Sequence, residues 1–412
     1  HASPKPAAQR RVAGQSLPRV DLEARLTGGY LLHDMTVAGM RHGRVIQPPS
    51  LDAKLGQMPD LDLREDAQIV RDGQFIAIVA DDEYVALSEA WRVAGLLEWT
   101  FDPALAKHPF DGLSGEIKQS ETLYDSPDLA KGTQEVTVSI TKPALSHGSI
   151  GPSCAIAQWS GDNLTVWAHS QNVFALKSSL GRVLDHPDDK ITVIFAPGAG
   201  CYGHNSSDDV ACDAAVMARA IGSPVRVLWQ RQDEFKNAPL NPAMHTQMTA
   251  RLDEAGNLVS FDAQVTSPPH STRPAGAEEP NLRAQQFLTN AMPMGPGNDA
   301  PQPHGGADRN AVPGYVVPAV RVVRNRPAYV PYRNSAMRGL GAFTNVIALE
   351  QLMECCAEAA GRDSIDYRID HLDDPRAIDV IETARDMAGP WDRPDGIGYG
   401  LGYARYKNSA GY

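Results

Sequence analysis

Gly198-Ala-Gly-Cys-Tyr-Gly-His-Asn205 is a glycine-rich turn, here called the first turn, between an apolar run and an alanine-rich run. The preceding Ile191-Thr-Val-Ile-Phe195 has the β-branched and aromatic composition of a short buried strand. Apolar residues then recur at three- and four-residue intervals from Val210 to Ile221, which predicts a helix that Gly222 closes. Because backbone N–H groups of such a turn can approach an anion or a ring edge unobstructed, we expect a cofactor here.

The composition is that of a globular protein. The chain has 412 residues, of which 42% are hydrophobic and 21% are charged, and its formal net charge is −12. This acidic balance argues against a general nucleic-acid binder, because neutralising phosphates requires a basic surface. Since no run of about 18 apolar residues occurs, we expect no membrane span.

The cysteines bear on redox chemistry. The chain has five, an odd number, and none of them forms a C-x-x-C pair. An iron–sulfur cluster or a structural zinc site held by this chain alone is therefore not expected. If redox chemistry takes place here, we expect the electrons to leave through a partner.

The pattern along the chain predicts an α+β fold in two parts. We expect a polar arm over residues 1–19, a small domain over 20–130 and a larger domain over 134–412. Low apolar periodicity over 103–133 predicts a connection between the domains. The larger domain contains a Pro/Gly-rich insertion at 267–320, which a functional loop, an interface arm or hidden strands would each explain.

A second glycine turn, Ser335-Ala-Met-Arg-Gly-Leu-Gly341, is here called the second turn. The apolar residues Val346, Leu349 and Met353 follow it at helical spacing, and Gly361 comes after them. We therefore expect a second unit in which a glycine turn leads directly into a helix.

The pattern alone leaves two alternatives for the first turn. Gly198-x-Gly200-x-x-Gly203 matches the dinucleotide-binding fingerprint and follows a strand, which indicates an NAD or FAD site. The predicted helix begins beyond the last glycine, whereas the helix of that fingerprint begins inside the motif. The turn can also be a simple connection without a ligand.

Three motifs in order, Ser170-Gln171, the first turn and the second turn, resemble the molybdopterin-binding subunit of the xanthine oxidase family. The nicotinate dehydrogenase and isoquinoline oxidoreductase large subunits are the most similar branch. The resemblance covers most of the chain. It implies an α/β hammerhead domain over about 20–130, followed by part of the molybdopterin-binding domain.

The resemblance also implies individual roles for residues near the cofactor. Gln171 matches a glutamine that hydrogen-bonds near the molybdenum's oxo group, and Arg338 matches an arginine beside the cofactor. Cys201 stands where many members have phenylalanine, at a position whose backbone N–H faces the metal; a small buried hydrophobe is the alternative role for this thiol. The implied cofactor-binding residues are Gln171, Gly200, Cys201, Tyr202, Gly203 and Arg338.

Asn205 stands where xanthine-type enzymes carry a substrate-binding glutamate, so the resemblance implies a substrate-binding role and a substrate unlike xanthine. No protein side chain is expected to ligate the metal directly. His147, His169 and His204 match no common ligand spacing, and we interpret them as hydrogen-bonded loop histidines.

The implied function is a molybdenum hydroxylase that oxidises an N-heteroaromatic compound or an aldehyde with water as the oxygen source. The resemblance implies a molybdenum–molybdopterin cofactor, in cytosine dinucleotide form, and [2Fe–2S] clusters in a partner subunit, with a cytochrome or flavin subunit as a further partner. A non-catalytic scaffold subunit is the alternative. The compartment stays open between the cytoplasmic and periplasmic sides of the inner membrane.

The catalytic base is expected outside this chain. The family's glutamate lies in a Gly-x-Gly-Glu segment, and this tetrad does not occur in the sequence. The Gly-Gln-Gly segment of the isoquinoline-type branch is absent as well. We therefore expect another polypeptide to supply the rest of the molybdenum subunit and to complete the site.

Overall fold

The structure, a computed structural model, describes residues 3–50, 52–102, 113, 115–389, 396–406 and 411–412. The strands are β1 (Arg41–Val45), β2 (Lys54–Leu55), β3 (Ala67–Asp72), β4 (Phe75–Ala80), β5 (Trp99–Thr100), β6 (Ile117–Asp125), β7 (Gln134–Lys142), β8 (Cys154–Ser160), β9 (Asn163–Ala168), β10 (Ile191–Phe195), β11 (Val225–Leu228), β12 (Met244–Leu252), β13 (Leu258–Thr266) and β14 (Ala319–Pro327). The helices are α1 (Leu22–Thr27), α2 (Glu83–Ala94), α3 (Val173–Leu184), α4 (Ser207–Ile221), α5 (Arg231–Asn237), α6 (Ala342–Ala359), α7 (Ser364–Asp370) and α8 (Pro375–Ala388). The α+β fold predicted from the sequence is confirmed.

A seven-stranded mixed sheet lies between two helical layers. Its strand order is β10-β9-β8-β11-β1-β4-β3. All six residues of β4 are buried, and successive side chains of a strand point to opposite faces. Phe75 and Val79 therefore pack in the core shared with α3 and α4, whereas Ile76 and Ile78 pack against α2. The continuous apolar run of β4 is explained by burial on both faces.

A five-stranded sheet forms the second core. Its order is β6-β14-β13-β12-β7, and helices α6, α7 and α8 contribute side chains to the same apolar cluster. Leu349, Leu352 and Met353 of α6 are buried in this cluster. The predicted apolar face of the helix after the second turn is thereby confirmed.

The seven-stranded sheet contains strands from both predicted domains. Parallel pairing joins β1 to β11, with Arg41 opposite Val225. The sequence ranges 20–130 and 134–412 therefore do not correspond to separate sheets. The hammerhead domain and its limits stay a prediction.

The prediction of a plain connection over 103–133 is wrong for residues 117–125, which form β6. This strand lies at the edge of the five-stranded sheet and pairs with β14. Its residues are all exposed except the half-buried Leu123. Because neither face of β6 is buried, its sequence lacks the apolar alternation that predicts a strand. The prediction for 103–112 lies outside the described residues.

The Pro/Gly-rich insertion is a loop over residues 267–318, where the alternative that it hides strands is wrong; its last two residues, 319 and 320, begin β14. Residues 267–318, all of them described, contain a 3₁₀ turn at Arg283–Gln286 and no strand. Buried carboxylates attach the loop to β14: Arg326 pairs with Asp299 at 2.6 Å, and Arg324 pairs with Asp308 at 2.9 Å.

The elements around the first turn match the prediction in type and position, but the predicted burial of β10 is wrong: it is an edge strand whose Ile194 and Phe195 are exposed. Strand β10 coincides with the predicted Ile191–Phe195, α4 begins at Ser207 beyond the last glycine of the turn, and Gly222 ends the helix with a left-handed φ of 70°. Within the described residues, no helix combines the length and apolar character needed to cross a bilayer.

Candidate functional site

The two glycine turns, although far apart in sequence, lie side by side. The backbone N–H of His204 donates to the carbonyl of Ala336 at 2.7 Å, and the N–H of Arg338 donates to the carbonyl of Tyr202 at 2.6 Å. These two bonds make a short antiparallel bridge between the turns. The turns therefore form one surface, which α4 and α6 support from behind.

Gly203 makes this close approach possible. Its φ is +131°, a conformation that side-chain-bearing residues rarely adopt. A Cβ atom at this position would lie 2.1 Å from the carbonyl oxygen of Ala336 and 2.8 Å from the Cα of Met337. The first turn thus needs glycine here for contact with the second turn.

The residues predicted to bind a cofactor gather at this surface. The Gln171 side chain is exposed near the end of β9 and reaches the thiol of Cys201. Cys201 is exposed, so its alternative role as a small buried hydrophobe is wrong. Arg338 is exposed on the second turn, and within the described residues its guanidinium has no ion pair. The roles of these residues stay predictions, but the structure brings them together.

Asn205, predicted to bind substrate, is buried and only 1% exposed. Its amide nitrogen donates to Ser149 Oγ at 3.1 Å, and its side-chain oxygen accepts the N–H of Ser207 at 3.2 Å. It therefore satisfies a donor at the start of α4. The structure gives this residue a capping role, and its contact with substrate stays a prediction.

The backbone of the first turn is free to bind a ligand. In the described part of the chain, the N–H groups of Gly200, Cys201 and Tyr202 have no protein acceptor. Helices α4 and α6 both begin directly after a turn, and each helix N-terminus carries a partial positive charge. Free N–H groups together with two helix N-termini suit an anionic ligand with phosphate or ring-edge acceptors.

A buried polar layer lies beneath the first turn, and the sequence alone did not reveal it. His204 Nδ1 lies 2.6 Å from Ser335 Oγ, and its Nε2 makes a close but bent contact of 3.0 Å with Asp208 Oδ2. Burial opposes ionisation of Asp208, but its contacts with His204 and Ser170 lower the pKa of this carboxyl below its usual value.

The other two loop histidines also bond within the protein. His147 Nε2 lies 3.1 Å from the Ala336 carbonyl, and His169 Nε2 accepts the N–H of Cys154 at 3.2 Å. Burial lowers the pKa of His169 to about 4, so this ring is neutral at pH 7. Within the described ranges, no group of three or more His, Cys, Asp or Glu side chains is arranged to hold a metal ion.

A second buried contact ties α4 to the approach of the second turn. Both Asp209 and Arg333 are almost fully buried, and their side chains form two hydrogen bonds of 2.9 and 3.1 Å. The other hydrogen bonds of the pair go to backbone groups: the N–H of Arg283 donates to Asp209, and Arg333 donates to the carbonyl of Asn237. In the sequence, this pair is indicated only by the position of Asp209 in the first turn of the predicted helix.

Asp213 lies one turn further along α4, and ionisation of its carboxyl is expected to make the stability of the fold depend on pH. Burial raises the pKa of this carboxyl to about 8, although the indole N–H of Trp229, at 2.9 Å, favours its ionised form. The unfolded chain loses this proton near the ordinary pKa of 3.8, so the group stabilises the fold at low pH and the contribution falls as the pH rises to about 8.

We expect Asp213→Asn, which keeps an acceptor for Trp229, to reduce the loss of stability between about pH 5 and about pH 7.5. Urea unfolding of both proteins at each pH gives the two differences in free energy. If the unfolding free energies of wild type and variant depended equally on pH, the raised pKa of Asp213 would be contradicted.

Comparison with known proteins shows which domain family the chain matches. Residues 122–276, which include the first turn, match the molybdopterin cofactor-binding domain family. The helix starting beyond the last glycine sets the turn apart from the dinucleotide-binding fingerprint. Residues 122–276 therefore form a molybdopterin cofactor-binding domain, and the resemblance seen in the sequence is confirmed.

The chain is similar to a nicotinate dehydrogenase subunit of Pseudomonas putida, with 31% identity over 97% of this chain and 35% of that protein. It is also similar to the beta subunit of isoquinoline 1-oxidoreductase of Brevundimonas diminuta, with 23% identity over 97% of this chain and 52% of the relative. The chain thus spans between a third and about half of the length of these relatives.

The fold has a counterpart among solved structures. Quinoline 2-oxidoreductase from Pseudomonas putida superposes with a TM-score of 0.71 over 91% of this chain and 54% of the other, at 18% identity. This likeness confirms the fold predicted by the resemblance.

Proposed function

We propose that the chain forms the cofactor-binding part of a molybdenum hydroxylase that oxidises an N-heteroaromatic compound. The observation that supports the proposal is the contact of the two glycine turns, which brings Arg338 of the second turn beside Tyr202 and Gly203 of the first turn. The names of the two relatives support a nitrogen-containing ring as substrate. An aldehyde is the alternative substrate.

The residues present fit a molybdenum–molybdopterin cofactor. Such a group is anionic and rich in hydrogen-bond acceptors. The N–H groups of Gly200, Cys201 and Tyr202, which have no acceptor among the described residues, supply donors without side-chain obstruction. When bound, it supplies two-electron redox chemistry with water as the oxygen source. We propose the cytosine dinucleotide form.

This chain's own residues bind and orient in the proposed site. The Gln171 amide can both donate and accept a hydrogen bond beside the first turn. The Arg338 guanidinium offers planar paired donors to an anionic group at the edge of the second turn. The protein's part is thus positioning and electrostatic tuning of the cofactor.

The catalytic base is proposed to lie outside these 412 residues. They contain no Gly-x-Gly-Glu segment, so we place the catalytic glutamate in a part of the molybdenum subunit other than the sequence described. Electrons would leave through a partner with [2Fe–2S] clusters and pass on to a cytochrome or flavin subunit.

Metal analysis of the complete assembly, isolated under mild conditions, tests the proposal. We expect molybdenum and a pterin in fixed ratio to this chain, together with oxidation of nicotinate-like rings in the presence of an artificial electron acceptor. An assembly without molybdenum and pterin would instead favour the scaffold alternative. Tight NAD or FAD binding without molybdenum would restore the dinucleotide hypothesis.

Arg338→Ala is expected to weaken cofactor retention. The substitution removes charge-assisted hydrogen bonds, each of which corresponds to about a tenfold to hundredfold change in binding. Arg385→Ala on α8, where the side chain is 39% exposed and remote from the turns in sequence, is the control. Molybdenum content per chain is measured in both variants; unchanged content and unchanged turnover in Arg338→Ala would refute its assignment.

A further inference from the structure

We infer that His204 is a positioning residue that holds the two glycine turns in register for cofactor retention. The inference rests on the proposed function. The three side chains Ser335, His204 and Asp208 are called the histidine bridge below.

The histidine bridge joins three elements. His204 belongs to the first turn, Ser335 begins the second turn, and Asp208 lies in the first turn of α4. The imidazole contacts Ser335 Oγ at 2.6 Å on one side and Asp208 Oδ2 at 3.0 Å on the other. One ring therefore links the site-forming loops to the helix behind them.

The order of groups is that of a serine–histidine–aspartate triad, but the histidine bridge cannot attack a substrate. Ser335 is 0% exposed and His204 is 3% exposed, so neither reaches a ligand at the surface. Nδ1 can accept a hydrogen bond from the Ser335 hydroxyl, while Nε2 stays in close but bent contact with the Asp208 carboxylate. Both ring nitrogens are then engaged in contacts that link the first turn to the second turn and to α4.

Backbone contacts alone leave the turns weakly joined. Two hydrogen bonds connect the turns through Tyr202, His204, Ala336 and Arg338. Removal of the imidazole would leave the Asp208 carboxylate, which is 5% exposed, without the ring that lies 3.0 Å from its Oδ2. Since a buried unpaired carboxylate draws in water or moves toward it, the first turn would shift relative to the second.

The test compares His204→Leu with His204→Gln in the complete assembly, with pterin release followed over time by fluorescence. The leucine variant is expected to release pterin about tenfold faster than wild type, the change that one or two buried hydrogen bonds correspond to. Glutamine keeps a donor and an acceptor at the end of its side chain, so we expect an intermediate rate.

Asp208→Asn tests the same link without removing the ring. It should speed release in the wild-type background and add nothing to His204→Leu, because coupled residues are not additive. His371→Leu is the matched control, since His371 is also buried and hydrogen-bonded, to Leu258 and Tyr367, but lies in the second core. It should lower thermal stability without changing pterin release from the folded protein.

The outcomes separate the inference from the proposed function. Wild-type assembly without pterin would overturn the proposed function and the inference with it. Pterin-loaded wild type with equal release rates in wild type and His204→Leu would overturn the inference alone. Equal rates in the leucine, glutamine and His371→Leu variants would also overturn it, because general destabilisation would then explain the change.

Discussion

Replacing Gly203 with alanine is expected to separate the two glycine turns and to empty the cofactor site. The added methyl would lie 2.1 Å from a backbone carbonyl oxygen, which cannot rotate away as a flexible side chain can. The residue also has a φ of +131°, so strain adds to overlap. Each effect costs about 1–3 kcal/mol, and we expect a loss of about 2–5 kcal/mol in unfolding free energy.

Urea denaturation and molybdenum analysis of the Gly203→Ala assembly check this expectation. Gly222→Ala is the control, because Gly222 also has a positive φ, of 70°, but has no atom within 4 Å of the added Cβ. It should cost about 1 kcal/mol and leave the cofactor content unchanged. If both variants lost similar amounts of unfolding free energy, backbone strain, and not contact between the turns, would explain why glycine is needed at position 203.

Local patterns were enough to predict the elements around the first turn. The β-branched run of β10, the alanine-rich spacing of α4 and the left-handed Gly222 are each determined by neighbouring residues. By contrast, β6 escaped prediction because burial decides apolar alternation, and this edge strand is exposed. The pairing of β1 with β11 depends on tertiary contacts that no local period records.

In the candidate site, too, some residues could be predicted from the sequence and others could not. Residues such as Gln171 and Arg338 were reached through resemblance to a family, and the structure then placed them at one surface. The histidine bridge was not predicted, because Ser335 lies 131 residues from His204 and neither turn indicates by its own pattern which side chains bond between them. A hydrogen bond between loops that are far apart in the sequence produces no characteristic residue spacing from which it could be predicted.

The insertion illustrates a further limit of sequence patterns. Its Pro- and Gly-rich composition was consistent with a functional loop, an interface arm or hidden strands, and composition could not choose among them. Order in this loop comes from Asp299 and Asp308, whose partners Arg326 and Arg324 lie on β14. Through Arg283, whose N–H bonds to Asp209 at 2.7 Å, the insertion also reaches the helix behind the first turn. The loop thus contacts both the helix that follows the first turn and, through Gly306, the second turn at Gly341.

Arg333→Met is expected to cause the largest loss of stability among single charge substitutions at the site. It would leave Asp209, 1% exposed, with the Arg283 N–H as its remaining donor among the contacts described. Breaking a buried pair by removing one partner costs about 3–5 kcal/mol, because the other charge stays buried. Arg333 is two residues before Ser335, so the second turn should lose its position and the cofactor should be lost too.

The double variant Asp209→Leu/Arg333→Met distinguishes a buried charge from lost packing. If the unpaired carboxylate causes the loss, the double variant should be more stable than Arg333→Met alone, since replacing both charges removes the desolvation cost. Glu135→Gln is the surface control: Glu135 pairs with Arg251 at 2.9 Å but is 56% exposed, so we expect a change below about 1 kcal/mol. Urea unfolding of wild type, Arg333→Met, Asp209→Leu, the double variant and Glu135→Gln measures these differences. A double variant as unstable as the sum of its single changes would show that packing, not charge, joins α4 to the second turn.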